Sequence, residues 1–273
     1  MTLPTAPQDV APATTRAAAR PTTSPYRLSA VRLIRAEFLK LFTLRSTWWS
    51  LAITLLLTVG MAVLIGAASE GRIDPVTAAV LPIQFTMLLA GILGAIAVSG
   101  EYSTGMIRST LTAEPRRGAV LASKSLAVAV TVFVATLVTF VLAAVLVAAT
   151  TGAAIAWDDP EASVLPLLAA ATSMAVFALL GVGFGFALRG GAAAIASTVG
   201  VLFVLPIVMQ IVGAVATAWT WVGDLARFLP MNAAQSFILP GGAIDQGPAA
   251  LTLAAWVAAL LVAGWLVLRS RDA

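Results

Sequence analysis

The sequence predicts an all-α membrane protein with six transmembrane helices, and composition and the length of its apolar runs both indicate this class. Of the 273 residues, 60% are hydrophobic and only 10% are charged, and the mean hydropathy is +0.99. A soluble domain carries roughly 25% charged residues. Apolar runs of 20 or more residues recur along the chain, and a run of about 20 crosses a bilayer as a helix. Because polar and apolar residues do not alternate in these runs, they indicate helices rather than barrel strands.

Two segments are expected before the first span. Residues 1–26 are rich in Ala, Thr and Pro and predict a disordered cytoplasmic tail. Residues 27–46 have apolar side chains at helical spacing with charged side chains between them. This pattern predicts an amphipathic interfacial helix whose basic residues lie among anionic head groups, and a basic flank that only orients the first span is the alternative. The residues that we expect to matter in this helix are Arg32, Arg35, Glu37, Phe38 and Lys40.

The transmembrane domain is predicted to occupy residues 47–270. Its six spans are residues 47–68, 76–98, 121–147, 164–188, 192–218 and 249–268. The residues before the first span contain no apolar core of signal-peptide length, so this span is expected to act as the targeting signal. In the fourth span, Gly181 and Gly185 form a small-residue face that predicts close packing against another helix.

Basic residues predict the orientation of the spans. Fourteen of the sixteen Lys and Arg residues lie on one side, and the other side has only Arg72 and Arg227 among seven acidic residues. By the positive-inside rule the basic side is the cytoplasm, so both termini of this multi-pass cytoplasmic-membrane protein are expected there. The excess of basic residues behind the net charge of +4 is then explained by the orientation of the spans. We therefore expect no nucleic-acid partner.

The loop of residues 100–118 predicts a short cytoplasmic helix between the second and third spans. Ser103 or Thr104 is expected to cap this helix, and Pro115 is expected to stop it. Such a helix would offer an apolar ridge to the groove of a partner. The ridge consists of Met106, Ile107 and Leu111. An ordinary basic loop is the alternative that periodicity leaves open.

Polar side chains are rare inside the predicted spans. Gln84 and Gln210 lie well inside them, and they would either line a substrate path or form hydrogen bonds with a neighbouring helix. Ionisable residues are almost absent from the span interiors. This argues against a carrier driven by protons or sodium, which needs such groups near the midplane of the membrane.

The segment between the last two spans, residues 219–248, is too long for a turn. Its apolar pieces alternate with Pro and Gly, which predicts two short helices or re-entrant pieces at the outer interface, with tryptophans at head-group depth. We expect an outer gate here. The residues proposed for this gate are Phe228, Leu229 and Pro230.

The loop after the second span resembles the corresponding loop of type-two ATP-binding-cassette (ABC) exporter permeases. In that family a Glu at the end of span two is followed by Gly-Thr-Ile-Arg and then by Pro-Arg-Arg. The residues of this chain in the corresponding stretch are Glu101, Gly105, Met106, Ile107, Arg108, Leu111, Arg116 and Arg117. Met106 departs from the pattern, since Thr is commoner there. Residues 35–49 and 227–237 resemble the interfacial helix and the external segment of the same family, so the resemblance covers roughly residues 27–270.

The resemblance implies a division of labour between subunits. Such a permease has no ATPase of its own, and two permease subunits pair with two nucleotide-binding subunits. Loop 101–117 would be the coupling helix inserted into the ATPase, and helix 27–45 would rest against the same subunit. ATP and magnesium would bind to the partner, so no cofactor is expected in this chain. The sequence agrees, because it contains no G-x-x-x-x-G-K-[ST] motif.

We therefore expect a permease subunit of an ABC exporter, which moves its substrate by alternating access and works with a second copy or a sister permease. A secondary transporter or channel, and a membrane anchor or assembly protein without transport, are the alternatives. An enzyme is not expected. Without Cys or His, a catalytic cluster at membrane depth would need paired carboxylates, which the predicted spans lack.

Overall fold

The computed structural model describes residues 29–216 and 219–270, and these residues form helices and connecting turns without a strand. The predicted tail, residues 1–26, lies outside the described residues. In chain order the helices are α1 (Ala30–Thr43), α2 (Arg45–Ala68), α3 (Pro75–Val80), α4 (Ile83–Ser103), α5 (Met106–Ala113), α6 (Arg117–Thr151), α7 (Val164–Leu188), α8 (Gly191–Val199), α9 (Leu205–Val215), α10 (Thr220–Ala226), α11 (Pro230–Ile238) and α12 (Gln246–Ser270).

Six helical segments of the described chain are long and apolar enough to cross a membrane, which confirms the predicted number of spans. They are α2, α4, α6, α7, the continuous stretch from α8 to α9, and α12. The spans place α1 and α5 at one end of the bundle, called the inner end below. The short helices α3, α10 and α11 lie at the opposite, outer end.

The second span begins later than the sequence suggests. Residues Pro75–Val80 form the separate helix α3. Asp74 precedes this helix as its N-cap, and its carboxylate accepts a hydrogen bond from the Thr77 backbone N–H at 2.9 Å. Pro82 follows α3 and has no N–H with which to continue a helix through its own position. The predicted start at residue 76 is therefore wrong, and the span begins at Ile83.

The fifth span contains a π-helical segment, Gly200–Val204, between α8 and α9. Pro206 lies in the first turn of α9 and cannot donate a hydrogen bond to the carbonyl four residues earlier. A π-helical turn changes which backbone N–H and C=O groups form hydrogen bonds locally, and it lets the helix continue past Pro206. The described span is Gly191–Val215, and the predicted end at residue 218 lies outside the described residues.

The core of the bundle is built around α7, which packs against α4, α6 and α12. The predicted small-residue face on α7 lies directly against α4. A Cβ atom at Gly181 would lie 1.9 Å from the Gly91 carbonyl oxygen, and one at Gly185 would lie 2.7 Å from Cβ of Val98. Only glycine allows the two backbones to approach so closely, so the prediction of close packing is confirmed.

Candidate functional site

The short helix α5 lies between α4 and α6 at the inner end, and a glycine rather than a hydroxyl residue begins it. Gly105 has φ +72°, a left-handed conformation that glycine adopts without strain. The hydroxyls of Ser103 and Thr104 donate to the Gly100 carbonyl at 3.0 and 2.8 Å, within the last turn of α4. The prediction that one of them caps α5 is therefore wrong. Helix α5 ends two residues before Pro115, as expected.

Four charged side chains from three helices form one ion-paired group at the inner end. Nζ of Lys124, on α6, lies 2.6 Å from Oε2 of Glu37 on α1 and 2.8 Å from Oε1 of Glu101 on α4. Nζ of Lys40, on α1, lies 2.7 Å from Oε1 of Glu37 and 2.9 Å from Oε1 of Glu101. Both ammonium groups therefore bridge both carboxylates. We call these four residues the ion cluster.

The ion cluster is buried and electrically balanced. Glu37, Glu101 and Lys124 are 1%, 3% and 4% exposed, whereas the Lys40 side chain is partly exposed and also donates to Oγ1 of Thr110 on α5 at 3.4 Å. Burial disfavours the charge on Lys40, but hydrogen bonds to the two carboxylates outweigh it and raise the pKa of Lys40 above its ordinary value. The cluster therefore joins α1, α4 and α6 through ion pairs, and it joins α5 through the hydrogen bond to Thr110. Because the charges are buried, the loss of one would leave its partners without compensation.

Sequence reasoning did not find the ion cluster. It expected the basic residues of α1 to lie among head groups. Arg32 and Arg35 are exposed, whereas Lys40 pairs with Glu37, which is buried in the protein. It assigned no role to Lys124, which lies inside the predicted third span and is buried in α6. One signal was available, because Glu101 follows one apolar run closely and Lys124 lies near the start of the next.

Helix α5 turns most of its predicted apolar ridge toward its own bundle. Ile107 is 3% exposed, and Leu111 is half-buried against the core, as is Phe38 of α1. The prediction that Ile107 belongs to a surface offered to a partner is therefore wrong. Such a short helix needs an apolar anchor on its own chain, because eight residues do not form a stable helix alone.

The outward face of α5 is polar with one large apolar side chain. Met106 is 41% exposed, and the other exposed residues of this helix are Arg108, Ser109, Thr112 and Ala113. A groove of about 480 Å³ separates α5 from α1, and Met106 and Leu33 both line it. The inner end thus combines an exposed basic residue with an apolar groove, a combination that suits contact with another protein.

The two arginines after α5 bind within their own chain. Nε of Arg116 donates to Oε1 of Glu114 at 2.8 Å, and a second guanidinium nitrogen donates to Oε2 at 3.0 Å. Hydrogen bonds from Arg116 lower the pKa of Glu114 below its ordinary value. Nη1 of Arg117 donates to the Leu268 carbonyl at 2.6 Å, which ties the start of α6 to the last turn of α12. Arg116 stays exposed, whereas Arg117 is half-buried.

The two glutamines predicted inside the spans lie toward the outer end and do not share a cavity. Gln84 is the second residue of α4 and is half-buried in a pocket at the outer end. Gln210 is exposed on α9, five residues before its last residue, Val215. Neither residue therefore lies deep inside its span, and nothing in their positions connects them to one path.

The proposed gate residues stand at the junction of α10 and α11. Phe228 is 46% exposed, Leu229 is buried, and Pro230 is the buried first residue of α11. The indole N–H of Trp256, on α12, donates to the Phe228 carbonyl at 2.9 Å. This hydrogen bond fixes the junction to the last span.

Comparison with known families gives one match over nearly the whole described chain. A model described as ABC-2 family transporter protein matches residues 31–272. This range includes α1, α5 and all six spans. No curated protein matches the chain at a significant level.

Proposed function

Because the chain belongs to the ABC-2 family of transporter proteins, we propose that this permease is the membrane-spanning subunit of an exporter in a cytoplasmic membrane. A separate ATPase subunit supplies the energy, and permeases of this family are generally not catalytic themselves. The six spans and both termini are oriented by the basic residues, with α1 and α5 in the cytoplasm. The permease domain is residues 47–270, and within the predicted interfacial segment, residues 27–46, the interfacial helix is α1.

The ion cluster is the observation that carries this proposal. An ATPase can drive the spans only if the surface it contacts moves together with them. Glu101 and Lys124 belong to spans on the two sides of α5, and Lys40 reaches α5 itself through Thr110. When the ATPase displaces α5, α4 and α6 therefore move with it as a rigid unit. Such a rigid-body movement can change the bundle from one helix packing to another.

The residues of the coupling region have distinct roles in this mechanism. Met106, Arg108 and Arg116 are exposed and contact the ATPase, and Arg32 and Arg35 on α1 extend this basic surface. Ile107 and Leu111 anchor α5, and Gly105 makes the turn that begins it. Arg117 couples the start of α6 to α12 through the Leu268 carbonyl.

Transport follows alternating access between two permease copies, or between this chain and a sister permease. Substrate enters from the cytoplasm or the inner leaflet and leaves at the outer end, past the junction at Phe228, Leu229 and Pro230. Gln84 and Gln210 remain candidates for contact with the substrate near the exit.

Co-purification with the ATPase tests the proposal. The full chain is isolated from its native membrane in mild detergent, and a soluble chain with a phosphate-binding loop is expected in stoichiometric amount. Arg108→Glu reverses a charge on the outward face of α5, and it should lower the recovered ATPase about tenfold, because like charges at an interface repel. Arg72→Glu is the matched control, because Arg72 is exposed in the loop between α2 and α3.

Two outcomes of this experiment contradict the proposal. Equal loss of the ATPase in both variants would mean that general damage, not the α5 surface, weakens the complex. A stable chain that copurifies with no ATPase under several gentle conditions would favour the anchor or carrier alternatives.

The ion cluster also gives a reason to consider a proton- or ion-driven carrier, since buried ionisable groups often mark such pathways. Its position argues against this function. Glu101 lies in the last turn of α4, and Glu37 and Lys40 belong to α1, outside the spans. Carriers place such groups near the midplane of the bilayer. Uptake by the reconstituted chain under an ion gradient, without ATP or ATPase, would instead establish a carrier.

A further inference from the structure

A pocket at the outer end, on the far side of the bundle from the ion cluster, has no role in the coupling mechanism. It lies between α2, the start of α4 and α11, and its volume is about 460 Å³. Such a volume falls within the range of roughly 300–1,000 Å³ that is typical of small-molecule sites. Met61 and Ile65 of α2 form one wall, and Phe85 of α4 and Ile238 of α11 form another.

The polar groups of this pocket are two side-chain amides, Gln84 of α4 and Gln235 of α11. Gln84 is half-buried and Gln235 is exposed. No charged residue lines the pocket. An amide can both donate and accept hydrogen bonds, so the pair suits an uncharged ligand group that presents oxygen atoms.

The depth of the pocket suits the boundary between head groups and acyl chains. Gln84 stands one residue after the first residue of its span, Ile83, at the outer end. Met61 lies seven residues before Ala68, the end of α2, which is about 10 Å at roughly 1.5 Å per residue. The amides therefore lie at the rim of the membrane, while the apolar wall extends down along a span.

From this arrangement we propose that the pocket binds one membrane lipid from the outer leaflet, with its ester oxygens at the amides of Gln84 and Gln235. The acyl chain packs along Met61, Ile65 and Phe85. Since no charged side chain is present, binding does not depend on the charge of the head group. This site is separate from ATPase coupling and does not rest on it.

Photolabelling tests the site directly. The full chain is reconstituted in phosphatidylcholine vesicles that contain a phosphatidylcholine with a photoreactive diazirine in its acyl chain, and labelled peptides are mapped by mass. Label is expected on the helices that form the apolar walls. Met61→Trp fills the pocket and should remove most of this label. Leu64→Trp is the matched control, because Leu64 is 69% exposed on the same helix.

Substitution of the amides tests the recognition. Gln84→Leu together with Gln235→Leu should lower labelling about fivefold to tenfold, because the hydrogen bonds to the esters are lost. Thr150→Val, at an exposed residue near the outer end of α6, should change nothing. Replacing half of the vesicle lipid with phosphatidylglycerol should also leave the labelling unchanged.

Three results would overturn the proposal. Met61→Trp and Leu64→Trp could reduce labelling equally, which would indicate general contact with lipid rather than a site. Labelling could depend on anionic lipid, which would contradict recognition of ester groups. Cross-links from Gln84 to a second copy of the chain would show that protein, not lipid, covers the pocket.

Discussion

Lys124 is the residue on which the balance of the ion cluster depends most, because it is 4% exposed and contacts both carboxylates. Lys124→Met removes the charge at similar volume and leaves Glu37 and Glu101 with only Lys40. The loss of one partner from a buried ion pair typically costs about 3–5 kcal/mol. We therefore expect a marked fall in the unfolding temperature of the purified chain, measured by a thermal melt in detergent.

A balanced variant separates charge imbalance from lost packing. Lys124→Met combined with Glu37→Met removes one charge of each sign, so it should recover most of the stability lost in the single variant. Arg72→Met is the surface control, because its ion pair with Glu70 is exposed and such pairs contribute about 0–1 kcal/mol. A double variant as unstable as Lys124→Met would contradict the role assigned to the cluster.

Single residues also mark the limit of what the sequence predicted. Ile107 and Met106 have the same apolar character, and periodicity alone put both on the surface offered to a partner. The structure turns Ile107 inward and leaves Met106 exposed. The difference depends on which side of α5 faces its own bundle, a tertiary contact that a pattern of eight residues does not encode.

The elements that could be predicted are those whose physics is local. A long apolar run must be a helix in lipid, so all six spans were found. The separation of α3 from α4 was missed, although Asp74 and Pro82 are local signals for a helix start and a break. The ion cluster forms only where α1, α4 and α6 meet, so its geometry could not be predicted without knowledge of the fold.

The contact between α4 and α7 permits a prediction about helix packing. A Cβ atom at Gly181 would lie 1.9 Å from the Gly91 carbonyl oxygen, so Gly181→Ala must force the two backbones apart. Overpacking of this kind costs roughly 1–3 kcal/mol or more. We expect a lower unfolding temperature and weaker protection of α4 and α7 in hydrogen-exchange measurements.

Gly60 provides a control for the same substitution in another span. A Cβ atom there would have no atom within 4 Å apart from the neighbouring backbone of its own helix, so Gly60→Ala should be neutral or stabilising, since alanine favours a helix over glycine by up to about 1 kcal/mol. If both variants melted alike, the close packing of α4 against α7 would not be limiting for stability.

At the scale of the whole molecule, the proposed mechanism requires α1 and α5 to move as one body with the spans that they touch. The chain contains no cysteine, so two introduced cysteines can carry spin labels without background. Val31, which is 73% exposed on α1, and Thr112, which is exposed on α5, are suitable positions. Their distance should stay the same in the complex with and without ATP, as measured by pulsed electron spin resonance.

The same pair of labels shows whether the ion cluster is what keeps this distance constant. In Lys124→Met the repulsion between Glu37 and Glu101 is no longer balanced, so the distance distribution should broaden and become sensitive to ATP. In a variant with Arg72→Met it should stay narrow, because that charge lies in the outer loop after α2. A distance that changes with ATP in the unaltered chain would mean that α1 and α5 move independently. The ATPase would then drive the spans through α5 alone, by way of its direct connections to α4 and α6.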